Sequence, residues 1–514
     1  MTENQYKKLC EACDHILLAQ GSTVERVAIQ WLHVIREHPV LLGNYQGLFE
    51  AKSRLSLFLH KWFHSLRNLM VLVRELLRAL YTSGPSWFGQ QDYPENADII
   101  FVSHLLNDSQ VGESSDFYFG DLPQDLAEKG YSVVIALINH TGQQVVSLTE
   151  YRKDNNLYRM ILSNSLHISQ EIGLWWRLRK QASRLSKQAK IETDGFLRNV
   201  ILRAFQEALS SDPLSNLRRG LQIENLVLRV KPAVIVVTYE GYSWERLAFS
   251  FARSAKADIR CIGYQHAAVF RLQHAIRRNL LDKYNPDLIL TAGLVGKKML
   301  ERSGGLSGTP ISVLGSNRTF KRTGLNGDSL ITPVMAERTI NSVCLVLPEG
   351  IATECHLLFD FSLECAKRTP EIKFIWRLHP VINFESLIAQ NPKLGSLPSN
   401  ISLSTTTLNK DIDQSRWVLY RGTTTVSATV MAGLRPIYLQ LPDEMTIDPL
   451  YELDVWISRI KSVSDFNQTI QVDSDCSCGL LDPDLKLAQE YCNEFYTPAD
   501  VHALIKLLPN IDAS

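Results

Sequence analysis

Ile372-Lys373-Phe374-Ile375-Trp376, followed directly by Arg377-Leu378-His379-Pro380, decides how this chain is read. The first five residues are an apolar β-type run and the next four are a polar break. About forty residues later the same event recurs. Trp417-Val418-Leu419-Tyr420 gives way to Arg421-Gly422-Thr423-Thr424-Thr425-Val426-Ser427, and a helix-like run, Ala428 to Leu434, opens straight after. A cation at one strand end and a hydroxyl-rich helix start at the next are the parts of an anion site. The first N–H groups of a helix are unpaired and carry a partial positive charge. Such a site suits a phosphate or diphosphate leaving group and does not require a metal.

Working outward, the same alternation covers most of the chain. Ile99–Val102, Tyr131–Leu137, Ala233–Thr238, Ile259–Gly263 and Leu288–Leu290 read as short buried strands, with Leu122–Lys129 as a helix between the first two. Val343–Leu347, Phe374–Arg377, Ile401–Leu403, Trp417–Tyr420 and Pro436–Leu439 repeat the pattern. Short apolar strands separated by helical stretches indicate parallel sheets with crossover helices. The spacing predicts an α/β protein of two Rossmann-like doubly wound domains, over residues 96–330 and 340–514. The polar stretch Thr319 to Glu337 is the expected linker. Residues 1–95 read as a helical N-terminal region, with apolar residues from Leu55 to Leu80 at helical spacing and a stop at Gly84-Pro85.

Composition sets the outer limits. The chain has 514 residues, 45% of them hydrophobic and 21% charged, and a formal net charge of zero. These are the proportions of a globular protein, and the neutral balance gives no reason to expect a nucleic-acid partner. Nine cysteines are scattered, with only Cys10/Cys13 and Cys476/Cys478 close together. Free thiols in a reducing compartment are expected, not a disulfide framework. Cys10, Cys13 and His15 lack a convincing second half, so no structural metal is expected. The start of the chain is polar, and no apolar run approaches a membrane span. A cytoplasmic location follows as an expectation.

The polar residues gather at predicted strand ends. Tyr239-Glu240-Gly241 follows the third strand, Gln265-His266-Ala267 the fourth and Pro348-Glu349-Gly350 the first strand of the second half, with Glu354 in the helix beyond. Ligands of doubly wound sheets bind outside the carboxyl ends of strands. This order of motifs resembles the GT-B glycosyltransferases of bacterial surface-polysaccharide synthesis (lipopolysaccharide and capsule). Tyr239-Glu240-Gly241, His379-Pro380 and Thr423-Thr424-Thr425 are similar to three motifs of bacterial sialyltransferases, with Tyr239 where that family has an acid. Gln265-His266-Ala267 and His379-Pro380 resemble the His-Gly and His-Pro motifs of polyol-phosphate polymerases, with Ala267 in place of glycine. The resemblance covers about residues 97–470. The segments Tyr239–Arg246 and Gln265–Arg271 also look like a group of surface-carbohydrate biosynthesis proteins.

The resemblance implies transfer of a sugar from a nucleotide-activated, CMP-linked donor to a glycan or lipid-linked acceptor. From the residues themselves no cofactor and no metal are expected. The catalytic candidates are Glu240, His266 and His379. Either Glu240 or His266 would take the acceptor proton, and His379 would donate to the departing phosphate. The nucleotide candidates are Glu349, Gly350, Glu354, Arg377, His379, Pro380, Arg421, Gly422, Thr423, Thr424, Thr425 and Ser427. Glu349 or Glu354 would hold the ribose or base. His38-Pro39, a second copy of the dipeptide, lies outside any strand end and reads as structural.

Two other classes fit the same fold. Nucleotide-sugar 2-epimerases also carry a His-Pro element, but their paired acids have no counterpart between Arg421 and Ala428. A non-catalytic assembly protein with a degenerate transferase fold would account for Tyr239 and Ala267. Two basic, aromatic stretches suggest a further partner. Residues 52–78 carry Lys52, Arg54, Lys61, Arg67, Arg74 and Arg78, and residues 174–190 carry Trp175, Trp176, Arg177, Arg179 and Lys180. Together they would form an interfacial patch for an anionic membrane surface, placing the protein peripherally on the inner face of the cytoplasmic membrane. The alternative is a solvated face of a helical region.

Overall fold

The computed structural model describes residues 1–49, 86–89, 93–107, 115–141, 157–318, 342–475 and 482–508, with isolated positions between them. The expected linker Thr319–Glu337, the pair Cys476/Cys478 and nearly all of the basic stretch 52–78 lie outside the described residues.

Two sheets organise the chain. The first contains β1 (Trp87–Gly89), β2 (Ile99–Leu105), β3 (Val133–Asn139), β4 (Leu157–Leu162), β5 (Val234–Thr238), β6 (Arg260–Gln265), β7 (Leu288–Thr291) and β8 (Ile311–Val313). Their order is β1-β4-β3-β2-β5-β6-β7-β8, parallel throughout except for β1 against β4. The second contains β9 (Val343–Leu347), β10 (Lys373–Trp376), β11 (Ile401–Leu403), β12 (Trp417–Tyr420), β13 (Arg435–Leu439) and β14 (Ser458–Ile460), ordered β11-β10-β9-β12-β13-β14 and wholly parallel. The run β4-β3-β2-β5-β6-β7 and the entire second sheet both have the doubly wound order 3-2-1-4-5-6. The molecule is therefore an α/β protein of two Rossmann-like domains, the GT-B arrangement.

The strands form where they do because both faces are covered. β5 and β12 are buried at every position, which explains their continuous apolar sequence. Four strands escaped the sequence reading: β1, β4, β8 and β14. β8 and β14 are three-residue edge strands, and β1 falls within the stretch expected to be helical.

The N-terminal residues build a helical layer with the helices Ile168–Ile191, Gly195–Glu207 and Ser211–Val230. The first helix, Glu3–Leu17, starts at a reciprocal cap between Thr2 and Gln5. From Gly21 to His38 the chain is mostly irregular. The first helix and that segment are both tied to the loop after β6. Tyr6 Oη donates to Leu272 O at 2.8 Å, Asp14 pairs with Arg278 at 2.7 Å, and the His274 N–H donates to Ile35 O at 3.0 Å. Residues 34–38 are thereby delivered to the space between the two sheets' loops. At the other end, the helix Val501–Ile505, expected in the second domain, packs against Leu122–Glu128 of the first through Leu504. No described helix is long and apolar enough to cross a membrane.

Candidate functional site

Each sheet has its switch point between two central strands, β2/β5 in the first and β9/β12 in the second. The crevice at such a point is where doubly wound sheets bind ligands. Glu240 follows β5, and Glu349 and Arg421 follow β9 and β12, so the sequence candidates sit at both.

In the first domain, Gly241 turns with φ +89°, and a Cβ there would lie 2.4 Å from the carbonyl carbon of Ala275. The turn is therefore pressed against the loop after β6, and only glycine fits. Glu245 closes the turn from below, accepting the N–H groups of Glu240, Gly241 and Tyr242 at 2.9, 2.7 and 2.8 Å. Glu240 itself lines a cavity of about 440 Å³ with His266, His104, Tyr118 and Trp244. Burial raises the Glu240 pKa above its ordinary value, and Arg36 and Arg318 oppose the rise. His266 behaves in the opposite way. Burial, then Arg318 and His104, push its pKa down to about 3, so its ring is neutral at physiological pH. The ring meets Tyr118 edge to face at 4.6 Å. Tyr239, where the sialyltransferase motif has an acid, is fully buried; a Cβ on Gly263 would meet its ring at 2.8 Å, and Arg246 lies 5.1 Å above it. It is a core residue, not a missing base.

In the second domain, Glu349, Gly350, His379 and Gly422 converge. A Cβ on Gly350 would lie 2.8 Å from His379 Nδ1, and a Cβ on Gly422 would lie 2.8 Å from Glu349 Oε2. Gly422 has φ +69°, so it is glycine for conformation as well as for space. His379 Nδ1 accepts the Val381 N–H at 3.4 Å, which leaves Nε2 as a donor. Burial lowers the His379 pKa, opposed by Glu349. Pro380 is exposed beside it. Thr423 is buried and accepts the Thr425 N–H at 3.3 Å, and Ser427 Oγ donates to Thr424 O at 2.7 Å. These hydroxyls close their own turn, while Thr424 and Thr425 stay half-exposed.

The two cations expected at a phosphate are both neutralised by the protein. Arg377 donates to Asp411 at 2.7 Å, to Thr406 O at 2.8 Å and to Ser404 at 3.1 Å. Arg421 is fully buried between Glu354 and Glu444 and also donates to Leu439 O at 3.0 Å. A guanidinium taken out of water must be paired, and these pairs do it internally. Glu354 is correspondingly a partner of Arg421, and burial raises its pKa against that attraction.

What sequence reasoning missed comes from the N-terminal segment. His38 is fully buried, and its Nε2 bonds Glu349 Oε1. Arg36 lies 3.9 Å from Glu349 Oε2, stacks over Phe270 at 4.5 Å and bears on Glu240 electrostatically. Thus one arginine faces the acid of each half. His38, Glu349 and Glu354 place three donor atoms within 4.8 Å of one another. His38 Nδ1 already accepts the Val40 N–H at 3.2 Å, so Nε2 carries the ring proton and has no lone pair for a cation. The cluster is hydrogen-bonded, not a metal cradle. The sequence holds three Asp-x-Asp triplets, and their leading acids serve local structure. Asp411 binds Arg377, Asp473 binds Arg416 and Arg435, and Asp482 caps a helix.

No family model and no curated protein matches the chain. Solved structures do, at low similarity. The glycotransferase of kitacinnamycin matches at 12% identity and TM-score 0.45, covering 81% of this chain and all of that one. A putative UDP-N-acetylglucosamine 2-epimerase from Listeria monocytogenes matches at 10% identity and TM-score 0.44, with 80% and 96% covered. MurG of Acinetobacter baumannii matches at 11% identity and TM-score 0.39, with 80% and 99% covered. Glycosyltransferases and epimerases both occur among these, and at such scores the likeness assigns neither an activity nor a substrate.

Proposed function

We propose that the protein is a metal-independent glycosyltransferase that uses a nucleotide-activated sugar, CMP-linked, and a glycan or lipid-linked acceptor of bacterial surface polysaccharide. The observation that supports this best is the convergence of Glu349, the His379 imidazole and the Gly422 loop at the β9/β12 switch point, with Glu240 half-buried at the β5 end of the facing domain. In this reading Glu349 accepts from the ribose hydroxyls. His379 Nε2–H donates to the phosphate, and the half-exposed Thr424 and Thr425 add polar donors. Since Arg377 and Arg421 are neutralised internally, Arg36 is the cation for the leaving group. Glu240 accepts the proton of the acceptor hydroxyl as the new C–O bond forms and the sugar–phosphate C–O bond breaks, the bonding pair leaving with CMP. Neutral His266 orients the acceptor. The exposed face of the helix Ile168–Ile191, with Trp176 60% exposed beside Arg179 and Lys180, supports a peripheral contact with anionic lipid.

A thermal-shift panel of CMP, CDP, UDP, GDP and UMP tests the donor assignment, because a ligand of the native state raises apparent stability by mass action. CMP is expected to give the largest shift. Stabilisation by UDP alone would replace the donor, and conversion of a nucleotide sugar to its epimer without release of nucleotide would replace the reaction. Silence across the panel would remove the reading.

A further inference from the structure

Beyond Glu240 the first-domain cavity adjoins a second chamber of about 260 Å³, and His140, Asp212, Ser215 and Arg219 line both. Arg219 is the residue that needs explaining. Its neighbour Arg218 on the helix Ser211–Val230 is held by both oxygens of Glu171, at 2.5 and 3.0 Å. Arg219 makes a 3.4 Å hydrogen bond to Asn216 Oδ1, and no carboxylate among the described residues forms an ion pair with it. Asp212 acts on it only at a distance. Burial and the charge of Arg218 lower its pKa to about 10, which leaves it charged at neutral pH.

Among the described residues only Asp212, in the wall of both chambers, offers a counter-charge, and it forms no ion pair with Arg219. His140 Nε2 bonds His104 Nδ1 at 2.9 Å, and His104 Nε2 bonds Thr238 Oγ1 at 3.1 Å. Burial drives the pKa values of both rings down, with Arg219 adding to the effect, so they are neutral. Arg219 is half-buried and its charge is not met by an ion pair among the described residues; binding sites keep such groups where a ligand supplies the opposite charge. The chamber beside it also has Arg74, Arg218 and Asp212 in its wall, with Ser163, Asn164, Ser211 and Ser215 between them.

We propose that this chamber is an anion subsite: it takes a phosphate or carboxylate group of the acceptor on Arg219, with Ser211 and Ser215 beside it, while the acceptor hydroxyl lies at Glu240. The acceptor is then an acidic or phosphorylated glycan, not a neutral one. This extends the reading of the Glu240 side as the acceptor side.

Titration calorimetry at low salt with methyl phosphate, methyl glucuronoside and neutral methyl glucoside tests the subsite without turnover. One of the two anions is expected to bind and the neutral sugar not; which anion binds identifies the acidic group. Arg219→Gln should weaken that binding by about 10- to 100-fold, the effect of losing a charged hydrogen bond, and Arg219→Lys by less. Ser215→Asp, which leaves the arginine in place, should abolish it by repulsion. Binding of the neutral probe as tight as either anion, no binding of any probe, or unchanged affinity in Arg219→Gln and Ser215→Asp would overturn the subsite. The nucleotide panel reads the other domain: anion binding with a silent panel would sink the transferase reading and leave the subsite standing.

Discussion

His38 and Glu349, 311 positions apart, meet through a buried hydrogen bond that sets the acid of the second domain from the N-terminal segment. The Val40 N–H on His38 Nδ1 fixes which ring nitrogen makes it. His38→Ala removes the donor and leaves a buried carboxylate oxygen unsatisfied. We expect a loss of about 1.5–3 kcal/mol in urea denaturation, the range for hydrogen bonds to charged groups, together with weaker nucleotide binding. Wild-type stability and affinity in this variant would show that the contact has no consequence in solution.

The Arg421 network makes a contrasting prediction. If Arg421 served the phosphate, its loss would cost affinity and leave the fold intact. Because it sits between two carboxylates out of water, Arg421→Ala should instead destabilise by about 3–5 kcal/mol, as when one partner of a buried ion pair is removed. Loss of Arg377, which is part-exposed and whose buried partner Asp411 keeps hydrogen bonds from Ser404 and Thr406, should cost less. A stable Arg421→Ala variant that has merely lost nucleotide would restore the sequence reading.

Gly422 carries both a positive φ and a carboxylate within 2.8 Å of where a Cβ would stand. Gly422→Ala should cost about 1–2 kcal/mol for the left-handed conformation and displace Glu349. Nucleotide affinity is expected to fall more than stability does. An unchanged thermal shift with CMP would separate Glu349 from the donor.

Glu240 gives a pH signature. Its pKa is raised by burial from the ordinary 4.5, so the folded protein holds this proton more tightly than the unfolded chain. Its contribution to stability is therefore present below pH 4.5 and is lost as pH rises through the folded pKa. Activity runs the other way, because the base works ionised. The acid limb of the kcat/KM profile should lie above pH 4.5 and vanish in Glu240→Gln with little change in nucleotide affinity. His266, with a pKa near 3, gives no limb in the working range. A limb that survives Glu240→Gln would assign the base elsewhere.

The membrane contact is read by co-sedimentation. Each near-surface basic residue contributes about 1 kcal/mol on anionic lipid, and salt screens the attraction. Sedimentation with anionic but not neutral liposomes, reduced at high salt, is expected. Arg177 pairs with Glu25 and Arg179 stacks on Trp175, which leaves Trp176 as the anchor to test by Trp176→Ser. Equal recovery in both supernatants would leave the helix as a packing element.

The sequence by itself determined most strands of both sheets, though not β1, β4, β8 and β14, and the strand ends that carry Glu240, His266, Glu349, His379 and Gly422. Apolar runs of strand length and the polar breaks after them are local signals, and burial on both faces makes them nearly continuous. It did not determine which charges are available. Arg377 and Arg421 read as anion binders, and packing with Asp411, Glu354 and Glu444 neutralised both. Arg36 and His38 read as part of a helical appendage, and the docking of residues 34–38 on the loop after β6 brought them to Glu349. His104 and Arg219 became visible only when neighbouring strands and a crossover helix set them beside one cavity. Ion pairing and desolvation depend on residues far apart in sequence, so only the tertiary structure could decide them.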